Sequence, residues 1–120
     1  MARLKAEIWV KALIRRAAFA GSPAMVVRRG HEEAGTVYVK VNRLDNTASV
    51  YAPTWGHDGE RVWLCATGAA PVADEVAEAY LGKQFKFDPD VWVVEIEDRE
   101  GRHFLTEPVE VTAPAIGRGI

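Results

Sequence analysis

The apolar residues Ile8, Trp9, Ala12, Leu13, Ala17 and Ala20 recur at intervals of three and four, which lines one side of an α-helix and predicts a helix over 6–20. Gly21-Ser22-Pro23 then ends it. Lys11 and Arg15, four apart, fall off this stripe and are expected in solvent. The alanines leave the apolar side weak for a helix lying on a membrane, so core packing is the expected role.

Beyond the helix the period changes to two. Residues 25–29 and 36–43 read as strands flanking the polar, glycine-bounded loop Gly30-His31-Glu32-Glu33-Ala34-Gly35, a hairpin pattern. In the second strand Val37, Val39 and Val41 point one way and Thr36, Tyr38, Lys40 and Asn42 the other, so one face is buried and the other at least partly wet. Leu44-Asp45-Asn46-Thr47 suits a tight turn, because Asp and Asn tolerate left-handed backbone, and it leads into a third strand over 48–52. A longer loop over 53–60 precedes a fourth strand over 61–66. Four strands in succession predict an antiparallel meander.

A helical period returns over 72–85, with Val76, Ala77, Tyr80, Leu81 and Phe85 on one side. Asp74, Glu75 and Glu78 lie near its start and Lys83 and Lys86 near its end, the polarity that complements a helix dipole. Asp88-Pro89-Asp90 closes it, since the residue before a proline avoids helical backbone. The clearest strand covers 91–97. There Trp92, Val94 and Ile96 share one face, while Val91 and Val93 begin the other before Glu95 and Glu97 make it acidic. Asp98-Arg99-Glu100-Gly101 is a turn, and 102–106 is expected to pair back as the hairpin partner. From Pro108 onward the chain reads as a flexible tail. The whole predicts an α+β fold: a largely antiparallel sheet of about five or six strands with two packed helices, as a single domain over 1–107 with a tail over 108–120.

Composition narrows the class. At 120 residues, 48% apolar and 27% charged, the chain is large enough for one core and too small for two. Its charge is split by position: residues 1–43 hold nine Lys or Arg against three acids, net +6, and residues 44–120 hold the other six bases and fourteen acids, net −8. Such a split means a basic face aimed at an acidic partner, or two halves that attract each other within one fold. The single cysteine, Cys65, has no internal disulfide partner and fits a reducing cytoplasm, and its apolar neighbours make it a core side chain rather than a nucleophile. Glu7, Lys11, Arg15 and Arg16 interrupt any export signal. No window approaches the ~18 nearly uncharged apolar residues of a membrane span, so no membrane partner is expected.

Several segments in order resemble a known family: Ile8-Trp9-Val10 with Arg15-Arg16, Val27-Arg28-Arg29-Gly30, Ala34-Gly35 with Val41-Asn42-Arg43-Leu44, and Phe87 to Asp98 followed by Gly101-Arg102-His103-Phe104-Leu105. They are similar to the signature segments of the small alphaproteobacterial proteins known as domain of unknown function 1491. The resemblance spans most of 3–105 and implies a single short cytoplasmic bacterial domain. It brings no activity and therefore no catalytic residue.

The remaining chemistry is sparse. His31, His57 and His103 lack ligand spacing, and one cysteine cannot build a thiolate site, so no metal or other cofactor is expected. Asp88 with Asp90, or Glu95 with Glu97, would be a carboxylate pair only within a cleft, and turn or surface roles account for them more simply. Neither Ser22 nor Ser49 has a nucleophile-elbow frame, and Gly56-x-x-Gly59 does not open a helix as a phosphate loop does. No catalytic residue is assigned.

Arg28, Arg29, Lys40 and Arg43 fall on two strands expected to be neighbours, with Tyr38 and Trp55 as stacking surfaces, which would suit nucleic acid. The pI of 5.9 argues against a dedicated binder. The expectation is therefore a non-catalytic interaction domain that binds a protein partner or itself, through the basic N-terminal third or an exposed sheet edge. Its candidate residues are Arg28, Arg29, Lys40, Arg43 and Trp55. Nucleic acid is the alternative, and a small-molecule enzyme comes third.

Overall fold

The computed structural model describes residues 5–56 and 59–110. Helix α1 (Ala6–Phe19) buries Ala6, Trp9, Val10, Leu13 and Ala17; of the expected stripe Trp9, Leu13 and Ala17 face the core, whereas Ile8 and Ala20 are exposed and Ala12 is half-buried, because the buried face is centred nearer Ala6 and Val10. Lys5 supplies no side-chain cap, so the first helical amides need other acceptors. Ala6 and Glu7 donate instead to the carbonyls of Glu33 and Glu32, at 3.1 and 3.0 Å. At the other end Gly21 adopts φ +92°, and the amides of Gly21 and Ser22 return to Ala18 and Ala17.

The strands are β1 (Ala24–Arg28), β2 (Val37–Asn42), β3 (Thr47–Trp55), β4 (Arg61–Cys65), β5 (Val72–Ala73), β6 (Trp92–Glu97) and β7 (Val109–Glu110), with helix α2 (Asp74–Phe87) between β5 and β6. All belong to one mixed sheet of order β1-β6-β2-β3-β4-β7, with β5 paired to the start of β3. The β2–β6 and β4–β7 pairings are parallel and the others antiparallel. This is the α+β architecture, with a meander retained over β2, β3 and β4.

Three local expectations are corrected. Strands β1 and β2 are not a hairpin, because β6 lies between them. The reason is the apolar run Val91-Trp92-Val93-Val94, every residue of which is buried: such a strand needs a neighbour at both edges and a layer on both faces. Second, 102–106 forms no strand. The Asp98 carboxylate takes the Arg102 amide at 2.7 Å, and Phe104 turns the backbone to φ +59°. Third, the expected tail begins with a paired segment: Trp63 donates to the Pro108 carbonyl at 2.8 Å, and β7 lies beside β4. The rest of that tail, 111–120, lies outside the described residues.

Register assigns the two faces. Val39 sits beside Val94, and Val41 beside Ile96, so these residues face α1 together with Trp63 and Trp92. Tyr38, Lys40, Val50 and Val93 face the other way, where Ala77 and Leu81 of α2 cover Ala48, Val50 and Val93. One helix therefore covers each face of the sheet. The loop between β1 and β2 folds onto the start of β6: Trp92 Nε1 donates to the His31 carbonyl at 2.8 Å, and a Cβ on Gly30 or Gly35 would come within 2.2 or 2.6 Å of the Asp90 carbonyl.

Candidate functional site

The basic residues of the N-terminal third occupy unlike environments. Lys40 is only 3% exposed, although alternation along its strand reads as solvent-facing. Its ammonium meets Asp74 at 2.7 Å, Glu78 in a short hydrogen bond and Glu95 at 3.7 Å, and Asn42 also donates to Glu95 at 2.9 Å. Burial pulls its proton affinity down, and the bonds to Asp74 and Glu78 with the charge of Glu95 overcome that, holding the pKa above the ordinary lysine value. Lys40 thus ties α2 to the sheet and is neither a nucleophile nor a surface contact.

The other candidates are dispersed. Arg28 stacks on Phe85, 4.1 Å from the ring centroid, and donates to the Pro89 carbonyl at 3.2 Å. Arg29 lies over Trp92 and pairs with Glu7 at 2.9 Å. That hydrogen bond, outweighing desolvation and helped by the charge of Lys11, holds the Glu7 carboxyl below its usual range. Arg43 lays its guanidinium against Gly101. Trp55 is half exposed at the far end of β3, opposite Arg61. With β6 intervening, Arg28 and Arg29 are not on a strand beside Lys40 and Arg43, so the five residues do not form one patch.

The remaining chemical candidates take structural places. His31 accepts the amides of Glu33 and Ala34 through Nδ1, His103 packs edge-on to Tyr51, and His57 lies outside the described residues. Asp88 accepts the Asp90 amide in a turn. Ser22 donates to the buried carboxylate of Asp98, which also receives Arg102; the Arg102 bonds, outweighing burial, hold that carboxyl well below the usual range. Cys65 is buried beside Thr67. Among the described residues no group of three or more His, Cys, Asp or Glu side chains is placed to hold a metal ion, and no helix is long and apolar enough to cross a membrane.

Exposed apolar side chains, by contrast, are concentrated on two consecutive elements. Of nine exposed large hydrophobic residues among those described, five come from α1 and β1: Ile8, Phe19, Met25, Val26 and Val27. Among the described residues strand β1 is an edge, hydrogen-bonded only to β6, and a bulge between Val26 and Arg28 leaves Val27 without a partner residue there and 52% exposed. An edge with three successive exposed apolar side chains is what soluble proteins ordinarily blunt. Phe19, at the end of α1, is 95% exposed and borders an open hollow of about 380 Å³ with Ala12, Arg15 and Arg16. Sequence reading missed Phe19 and Val27. The signal was present, since Phe19 is off the core stripe and Met25-Val26-Val27 is an unbroken apolar run, but which edge of β1 is covered depends on β6.

The chain has relatives of known structure. A crystal structure of a DUF1491 family protein from Caulobacter crescentus is 48% identical, with a TM-score of 0.82, over 90% of this chain and all of that one. An NMR structure of a family protein from the same organism is 47% identical, with a TM-score of 0.78, over 92% of this chain and 99% of that one. The solution structure of protein Atu0922 from A. tumefaciens is 35% identical, with a TM-score of 0.77, over 93% of this chain and all of that one. No curated protein matches. The family model described as protein of unknown function (DUF1491) matches residues 4–106, and the chain belongs to that family.

Proposed function

We propose that this chain is a non-catalytic cytoplasmic interaction domain that binds a partner protein through the flank formed by α1 and β1. The observation that carries the reading is the concentration of exposed apolar side chains on those two consecutive elements, one of which is a sheet edge among the described residues. Protein is favoured over nucleic acid because the arginines and lysine of β1 and β2 are engaged within the fold or separated by β6, which leaves little continuous basic surface on the sheet. Catalysis has less support, since the buried polar groups serve as ties between elements. A single buried cysteine accords with a reducing compartment.

The test is affinity capture with the wild-type chain and with Val27→Lys, followed by calorimetric titration of the captured protein after purification. Val27 is exposed and unpaired, so the substitution leaves the fold intact while placing a charge on the edge. The reading expects binding to weaken by about tenfold or more in Val27→Lys and to be unchanged in Trp55→Ala. Equal affinity for wild type and Val27→Lys would overturn it.

A further inference from the structure

The outer face of α1 shows what kind of partner segment this flank suits. Ile8, Ala12, Arg15 and Phe19 are spaced by four, three and four residues and so share one stripe, on the side away from the buried Leu13 and Ala17. The helix carries Arg15 and Arg16 beside the hollow, Lys11 one turn earlier, and Glu7 as its one acid. Glu7 is held by Arg29 and Lys11. Arg16 donates through Nε to the Phe104 carbonyl at 3.1 Å, and Arg15 is exposed with no ion pair among the described residues. An almost fully exposed phenylalanine thus adjoins uncompensated guanidinium charge.

From this juxtaposition we infer that the hollow between Ala12, Arg15, Arg16 and Phe19 receives a short acidic segment of the partner protein, with one bulky apolar side chain set between carboxylates. This deepens the protein-binding reading and rests on it. Charge complementarity selects the occupant: guanidinium groups favour carboxylates and can take them in paired hydrogen bonds, while Phe19 and Ala12 supply the apolar contact. The hollow is built by one helix face and encloses nothing, so a small free ligand would stay mostly solvated there. A second copy of this chain meeting it across a twofold axis would set Arg15 and Arg16 against their own equivalents. A lipid surface is disfavoured because the stripe offers only Ile8, Ala12 and Phe19 as apolar contacts, a small face for insertion.

The probe is the blocked peptide acetyl-Glu-Asp-Phe-Glu-Asp-amide, titrated into the isotope-labelled full chain by NMR, with a Lys-flanked version and phosphatidylglycerol vesicles as comparisons. Shifts are expected to centre on residues 8–19, and the Lys-flanked peptide, Arg15→Glu and Phe19→Ser are each expected to weaken binding by about tenfold or more. Both substituted residues are exposed, and an unchanged melting temperature shows that the variants fold. Equal response to the two peptides, no response at millimolar peptide, or vesicle binding that excludes the peptide would overturn the inference. Loss of partner binding in Val27→Lys alongside any of these results would leave the broader reading standing and remove only this one.

Discussion

Trp9 of α1 stacks on Trp63 of β4, with ring centroids 5.3 Å apart and planes inclined by 26°. Both indole N–H groups donate to Glu107, at 3.4 and 3.0 Å, so one carboxylate from the segment before β7 fastens the helix and the sheet together. Trp63 is completely buried, and its N–H has to find an acceptor.

Trp63→Ala is accordingly expected to cost about 3–5 kcal/mol, and Trp92→Ala, which removes an equally buried ring from β6, a similar amount. Glu107→Ala leaves both indoles without their acceptor and is expected to cost about 1–3 kcal/mol. Urea denaturation of the three variants measures these differences, and a midpoint near wild type for Trp92→Ala would mean that the core assignment of β6 is wrong.

Gly30 and Gly35 are required by space rather than by dihedral angle. A Cβ at either position would press on the Asp90 carbonyl and on Trp92 Cδ1, at 2.2 and 2.7 Å for Gly30 and 2.6 and 2.8 Å for Gly35. Backbone there cannot yield cheaply, so Gly30→Ala and Gly35→Ala are each expected to destabilise by about 1–3 kcal/mol or more. Gly82→Ala meets open space on α2 and should stabilise by up to about 1 kcal/mol. Thermal melts of the three variants read the contrast in sign.

Much of this was legible locally. The three- and four-residue period of α1, the alternation of β2 and the two apolar faces of β6 follow from side-chain spacing, which a single segment contains. Pairing was not. The polar loop 30–35 between two strands looks like a hairpin from inside the segment, whereas the parallel β2–β6 pairing joins residues over fifty positions apart. Lys40 was misplaced for the same reason: its alternation says solvent, and the acids that bury it come from α2 and β6. Around Arg102 the local pattern suggests a strand, and nothing in it shows that Asp98 captures the Arg102 amide.

The Lys40 cluster makes the alkaline limb of stability specific. Its folded pKa lies above the ordinary 10.5, so its contribution is present below that value and lost as pH rises through the folded pKa. Burial pushes Tyr51 and Tyr80 up to about 12, Tyr51 with help from Cys65 and Tyr80 from Tyr38; each therefore also loses stabilisation, between pH 10 and 12. Urea midpoints from pH 8 to 12 are expected to fall above pH 10, with a shallower fall in Lys40→Met. At neutral pH that variant should lose less than the roughly 3–5 kcal/mol of a fully buried pair, because Asp74 and Glu78 are half exposed and can rehydrate. An identical alkaline limb in both proteins would contradict the assignment.

Nucleic-acid binding is expected to be weak. Arg28 and Arg29 are already engaged by Phe85, Pro89 and Glu7, so titration of labelled single- and double-stranded nucleic acid should give little binding even at low salt. Micromolar or tighter affinity at low salt, lost in the double variant Arg28→Ala/Arg29→Ala, would make nucleic acid the better reading.

The most direct measurement of the central claim is hydrogen–deuterium exchange of the full chain, free and saturated with its purified partner protein. New protection confined to residues 8–28, spanning the outer face of α1 and the open edge of β1, is the predicted result. Protection centred instead on the β3–β4 hairpin around Trp55, with α1 and β1 exchanging as in the free chain, would contradict it.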